Sequence, residues 1–200
     1  MRAAATPGPT LSVNAVNVHS GLSRVFGPTD MSVEAIMASA CAPFMFQAVQ
    51  IEGESYWDGS YGGNPALWPL YASQADVDLL MVELTPLHRS ETPTTAKNIL
   101  NRINEIASIN GLVSELRLMA AVTQQRGQQV RSHVISLPDT VPPAESEPST
   151  KRTVGPVLFE TLKAQGRQAC DAWLAQHLPD LGVRSSTDLN LRYLVPYSPG

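Results

Sequence analysis

Residues 56–65 read Tyr-Trp-Asp-Gly-Ser-Tyr-Gly-Gly-Asn-Pro. The acid, Asp58, could do three kinds of chemistry. In the blandest reading Asp58-Gly59 is a turn, with Asp accepting local hydrogen bonds and Gly taking an unusual backbone angle. In the second, Asp58 is a general base. Gly59, Gly62 and Gly63 strip side chains from three of the next five positions, so another group can approach the backbone closely. A carboxylate held there can take a proton from a nucleophile. In the third, Asp58, Ser60 and Asn64 are oxygen ligands for a cation. The further acids and the closing Glu of a calcium loop do not follow, so no metal is expected. A phosphate loop fails too, because no Lys or helix-opening Ser/Thr follows the glycines.

The flanking segments must position that acid. Residues 11–18 alternate apolar and polar, with Leu11, Val13 and Ala15 on one face, which predicts a half-buried strand. Pro28 and Asp30 predict a stop and a cap for a short helix with Glu34 in its first turn. Small residues Ala40, Cys41 and Ala42 and then Pro43 end that helix, so it should sit against another tight element. Residues 44–57 read as a hairpin turning at Glu52–Ser55. Residues 66–75 predict a short helix interrupted at Pro69. Val77–Pro86 is almost continuously apolar, as in a central strand buried on both faces. Ile99, Ile103, Ile106, Val113 and Leu116 form a stripe on a long helix over 95–127, which Gly111 could bend. Residues 129–138 predict another strand. The five prolines of 138–156 predict a linker or surface loop between 1–137 and a helical tail, 157–200. Strands alternating with helices indicate an α/β fold with a mostly parallel sheet.

The bulk properties narrow the class. The chain has 200 residues, 43% of them hydrophobic, enough for a real core. A net charge of −4 argues against a nucleic-acid partner, because no basic field is present. Charged residues are 16%, against about 25% in an ordinary soluble domain. Cys41 and Cys170 have no metal-ligand spacing, so a reduced, cytoplasmic chain is expected. No signal peptide and no run of membrane-spanning length are recognised. His19, His88, His133 and His177 are scattered and read as surface or core-edge residues. Ser39 and Cys41 read as packing at a helix end, Cys170 as a small apolar residue of the tail helix. The aromatic and Met residues of Pro43–Phe46 read as core, with an acyl pocket as the alternative.

Three motifs taken in order resemble a known family. Ala-Ser-Ala-Cys-Ala-Pro-Phe-Met-Phe (38–46), Tyr-Trp-Asp-Gly-Ser-Tyr-Gly-Gly-Asn-Pro-Ala-Leu (56–67) and Val-Asp-Leu-Leu-Met-Val-Glu-Leu-Thr-Pro (77–86) resemble the second half of a patatin-like phospholipase domain. Residues 98–120 and 166–174 extend the likeness, which covers most of 11–174. The resemblance implies part of a three-layer α/β fold with a mostly parallel central sheet. It also implies lipid acyl hydrolysis by a Ser-Asp dyad, without a cofactor. Carried over, the base is Asp58, supported by Gly59; Ser60 stands where the family has Gly or Ala. A lipid or acyl-ester substrate and peripheral contact with a membrane are the implied partners.

The family's nucleophile lies in a Gly-x-Ser-x-Gly elbow, which the 200 residues do not contain. Gly21-Leu-Ser23-Arg-Val25 lacks the second Gly and reads as a surface turn, and the sequence around Ser55 fails similarly. The expectation is therefore an Asp base without its serine or oxyanion loop, and so inactive by itself. The missing N-terminal half would be lost to truncation or supplied by another chain. The alternative is a non-catalytic lipid- or protein-binding remnant of the domain.

Overall fold

A computed structural model describes residues 8–73, 75–84, 89, 92–137 and 156–195. The chain is a mixed α/β protein with a small parallel sheet. It divides into two compact units. Unit 1 is Met1–Pro69 with Ile106–Glu115, and unit 2 is Leu70–Glu105 with Leu116–Gly200.

Unit 1 is built on four antiparallel strands in the order β2-β1-β4-β3: β1 Val13–Asn17, β2 Ser23–Phe26, β3 Val49–Ile51 and β4 Glu54–Asp58. The turn between β3 and β4 is Glu52-Gly53, with φ of 53° and 85°. Both values are positive, as in the type I′ turn of a two-residue hairpin. Helix α1, Val33–Ser39, packs on this sheet through Ala35 and Ala38, which are fully buried beside Ala15, Phe26 and Tyr56. Two alanines let the helix lie close, and the Phe26 and Tyr56 rings meet edge-on at 5.6 Å. The helix cap is Ser32, whose Oγ accepts from Ala35 N at 3.1 Å, and not Asp30. Asp30 instead accepts from Gly27 N at 2.8 Å and closes the preceding turn.

Unit 2 holds the parallel pair, β5 Val77–Glu83 and β6 Val130–Ser136, in register Val77↔Val130 through Glu83↔Ser136. Helix α2, Trp68–Tyr71, precedes β5, and Pro69 lies in its first turn, where a missing N–H costs nothing. Between the strands runs α3, Ala96–Arg126. It is capped by Thr95 Oγ1, which accepts from Asn98 N, and ended by left-handed Gly127. Helix α4, Pro156–His177, follows, and Trp173 on it is buried.

Three expectations change. A mostly parallel sheet was expected, and only β5 and β6 are parallel. Short turns can join only antiparallel neighbours, whereas a parallel pair needs a crossover such as α3. Strand β5 is covered on one face only among the described residues. Leu79 and Met81 are buried, while Leu80 and Val82 are 45% and 63% exposed. On α3 the stripe of Ile99, Ile103 and Ile106 is exposed, and Glu105, Leu112, Leu116, Met119 and Thr123 are buried. Glu105 is tolerated there because Arg89 and Arg102 bond its carboxylate, at 2.6 and 3.1 Å. By length and apolar content α3 could cross a membrane. The Pro-rich stretch (138–155) and His88 lie outside the described residues.

Candidate functional site

Asp58 ends β4, opposite Ala15 of β1. Its backbone N donates to Cys41 O at 2.9 Å, so the small-residue end of α1 does abut a tight element, this one. Its Oδ1 accepts from Ser60 N at 2.9 Å and caps the 3-10 turn Gly59–Tyr61. Among the described residues no Lys, Arg or His pairs with Asp58, and no donor reaches Oδ2. One carboxylate oxygen is thus fixed by the backbone, and the other is uncommitted.

The glycines after Asp58 do allow a close approach, but by the chain itself. A Cβ on Gly59 would collide with the Asn14 carbonyl and lie 2.5 Å from Asn14 Cγ. One on Gly62 would strike Ser23 Oγ and lie 2.7 Å from Val16 Cγ2. Gly111 proves to be a contact: its Cβ would stand 3.1 Å from Gly63 Cα. The helix continues through it unbroken. Asn14 holds the loop shut. Its Nδ2 donates to Gly59 O at 3.1 Å and to Gly63 O at 2.8 Å. In sequence Asn14 is only the polar member of an alternating strand, and nothing there marks carbonyls 45 and 49 residues away as its partners. Asn64 is engaged as well, donating to Ser108 Oγ at 3.0 Å.

The hydroxyl and thiol groups near Asp58 are not primed as nucleophiles. Cys41 is buried and donates to Gln47 O at 3.1 Å. Burial, and then the Asp58 charge, push its thiol up, away from the reactive thiolate. Burial, and after it the Asp58 charge, likewise push up the Tyr61 phenol. Ser39 Oγ donates to Ile36 O within its own helix. Ser55 Oγ accepts from Gln50 Nε2. Ser23 belongs to β2 and not to a turn. Strands lie about 4.8 Å apart and β1 intervenes, so its strand is roughly 10 Å from that of Asp58. Ser60 contributes its backbone N–H, at 2.9 Å from Asp58 Oδ1.

Unit 2 holds a second cluster of titratable groups, around His133. This residue is fully buried, not at the surface or core edge. Its Nε2 lies 3.2 Å from Asp78 Oδ1 and its Nδ1 2.9 Å from Ser186 Oγ. A carboxylate only accepts, so Nε2 donates to Asp78, and in the neutral ring Nδ1 then accepts a hydrogen bond from Ser186 Oγ. The polarity is that of a Ser-His-Asp triad, but the amides needed to hold an oxyanion are already used. Ser186 N and Thr187 N both donate to Ser132 O, and Gly182 N donates to Asp78. The cluster instead ties residues 182–187 to the parallel pair. Among the other histidines, His19 is exposed beside Glu54, and His177 bonds Asp180 at 3.0 Å.

What the arrangement around Asp58 offers chemically is a proton acceptor on a braced backbone, with no serine hydroxyl bonded to it among the described residues. Neither a family model nor a curated protein matches the chain.

Proposed function

We propose that this chain carries the general base of a patatin-like lipid acyl hydrolase, part of a three-layer fold, with Asp58 as that base. The reading rests on the motif resemblance and on one structural observation. Asp58 has one oxygen fixed by Ser60 N and the other without a protein donor among the described residues. In such an enzyme Oδ2 takes the proton of a serine hydroxyl as that oxygen attacks the ester carbonyl. It returns the proton to the leaving alcohol, and a water repeats the cycle to free the acid. The serine and the oxyanion donors would come from an elbow and a Gly-rich loop outside these 200 residues. A fluorophosphonate probe tests the first half of this reading. The purified chain should label on no serine, and stoichiometric serine labelling would contradict it.

A second reading keeps the half-domain and discards the chemistry. It is favoured by the tight fit of the Gly59–Gly63 loop against Asn14, Val16, Ser23 and Gly111. That fit accounts for the glycines by packing, and the cap on Ser60 accounts for Asp58 by turn formation. In that case the chain is a lipid- or protein-binding remnant. Hydrolysis that survives Asp58→Asn in an assembled enzyme would favour it.

A further inference from the structure

Ser108, Gly111 and Glu115 of α3 are spaced three and four residues apart, so they lie above one another on one face of the helix. All three meet the loop that follows Asp58. Ser108 Oγ accepts from Asn64 Nδ2 at 3.0 Å. Gly111 leaves room for the Gly63 backbone: a Cβ there would stand 3.1 Å from Gly63 Cα and 3.5 Å from Gly63 N. Glu115 Oε2 accepts from Leu67 N at 3.1 Å. The stretch that makes these contacts, Ile106–Glu115, belongs to unit 1, although the rest of the helix belongs to unit 2.

Glu115 is the most specific of the three. Its carboxylate is half-buried, and charges withdrawn from water are ordinarily paired. Among the described residues no cation pairs with it, and its partner is Leu67 N. A hydrogen bond to a charged acceptor is roughly twice as strong as one to a neutral acceptor. The helix thus fixes the backbone of a residue whose side chain is itself fully buried.

The contacts reach Asp58 through the loop. Gly63 N donates to Gly59 O at 3.0 Å, and the turn that Gly59 opens presents Ser60 N to Asp58 Oδ1 at 2.9 Å. Asn14 fixes the same loop from β1, so the loop is held between a strand and a helix. We propose that Ser108, Gly111 and Glu115 are positioning residues for the base, setting the direction of Asp58 Oδ2 through this loop. The inference rests on the acyl-hydrolase reading for the role of Asp58, but the clamp itself is tested without catalysis.

The experiment is amide hydrogen exchange on the purified 200-residue chain, followed by NMR. Glu115→Ala should speed exchange of the Ser60 amide roughly tenfold to a hundredfold, the weight of a hydrogen bond to a charged group. Glu115→Gln keeps an acceptor oxygen for Leu67 N and should stay within about threefold of wild type. Ser108→Ala should act in the direction of Glu115→Ala and more weakly. Amides of the β1–β2 ladder should not change in any of these variants. Gly111→Ala separates positioning from helix stability, because Ala favours a helix interior over Gly. Amides of α3 should exchange no faster in that variant, while Ser60 does. An unchanged Ser60 amide in Glu115→Ala would overturn the proposal, as would equal acceleration of loop and ladder or a Gln variant as fast as the Ala variant. In an assembled enzyme Glu115→Ala should lower kcat with KM unchanged, and Glu115→Gln should restore it; a change in KM alone would overturn the positioning role. Asp58→Asn without effect on that enzyme would sink the base reading and the positioning role with it, and the exchange pattern would show the clamp intact.

Discussion

Replacing Asn14 by Ala removes both donors that close the loop behind Asp58. The two bonds, to Gly59 O and Gly63 O, are 3.1 and 2.8 Å long. Their loss is not equal. Gly59 O keeps two other donors, Gly62 N and Gly63 N, each at 3.0 Å. The carbonyl of buried Gly63 loses the side chain that served it. A net hydrogen bond contributes about 0.5–1.5 kcal/mol, and an orphaned buried acceptor costs about 1–3 kcal/mol. Asn14→Ala should therefore destabilise unit 1 by about 2–4 kcal/mol. With a urea slope of about 1–3 kcal/mol per molar, the midpoint should fall by roughly 1–2 M. Asn14→Asp provides the sharper comparison. It keeps the shape but turns carboxylate oxygens toward two carbonyl oxygens, so it should be less stable than Asn14→Ala. The assay is urea unfolding followed by tryptophan fluorescence, since Trp57 and Trp68 both lie in unit 1. A midpoint within about 0.3 M of wild type, or an Asp variant as stable as the Ala variant, would refute the brace.

Gly59→Ala should lower thermal stability by about 1–3 kcal/mol or more, because its Cβ meets the Asn14 backbone, which has little room to shift; an unchanged melting temperature would contradict the packing. Ser60→Gly should leave stability within about 0.5 kcal/mol, since only its backbone N–H is used, whereas Ser60→Pro should lose the cap on Asp58. In unit 2 the Arg131 guanidinium, and after it Gly182 N, hold the Asp78 carboxyl well below the usual carboxylate range. A depressed folded value gives stability that is present above the unfolded value, about 3.9, and lost as pH falls toward the folded one. Urea midpoints of wild type and Asp78→Asn should therefore be furthest apart near neutral pH and converge in acid; a gap that widens below pH of about 4 would contradict the assignment.

What could be read from residues alone was local. The hairpin was legible from its flanking apolar residues, but its turn, expected over Glu52–Ser55, is only Glu52-Gly53, with Glu54 and Ser55 already in β4. Strand β6 and the long helix followed from period and length. Strand β2 went unread because Ser23–Phe26 is four residues long and sits between Gly21 and Gly27, where turn signals dominate. Periodicity showed that Ile99, Ile103 and Ile106 share a face of α3, but not whether anything covers it. The helix-capping choice between Asp30 and Ser32 depended on which hydroxyl or carboxylate reached an amide three residues on.

At the site, Asp58 and its turn were legible because Asp-Gly chemistry is local. The reason for the glycines was not, because each answers to a residue far away: Gly59 to Asn14, Gly62 to Ser23, Gly111 to Gly63. His133 shows the same limit. A histidine in a strand does not reveal that Asp78 and Ser186, each more than fifty residues distant, will satisfy both its ring nitrogens.

Ester hydrolysis by an assembled enzyme tests the central claim most directly. This chain would be co-expressed with an N-terminal half bearing the Gly-x-Ser-x-Gly elbow, and the rate on a short-chain p-nitrophenyl ester measured for wild type and Asp58→Asn. Loss of the base should lower the rate by roughly 10²–10⁴-fold with the fold retained. An Asp58→Asn enzyme with near-wild-type activity would remove Asp58 from the chemistry and leave it the cap of a turn.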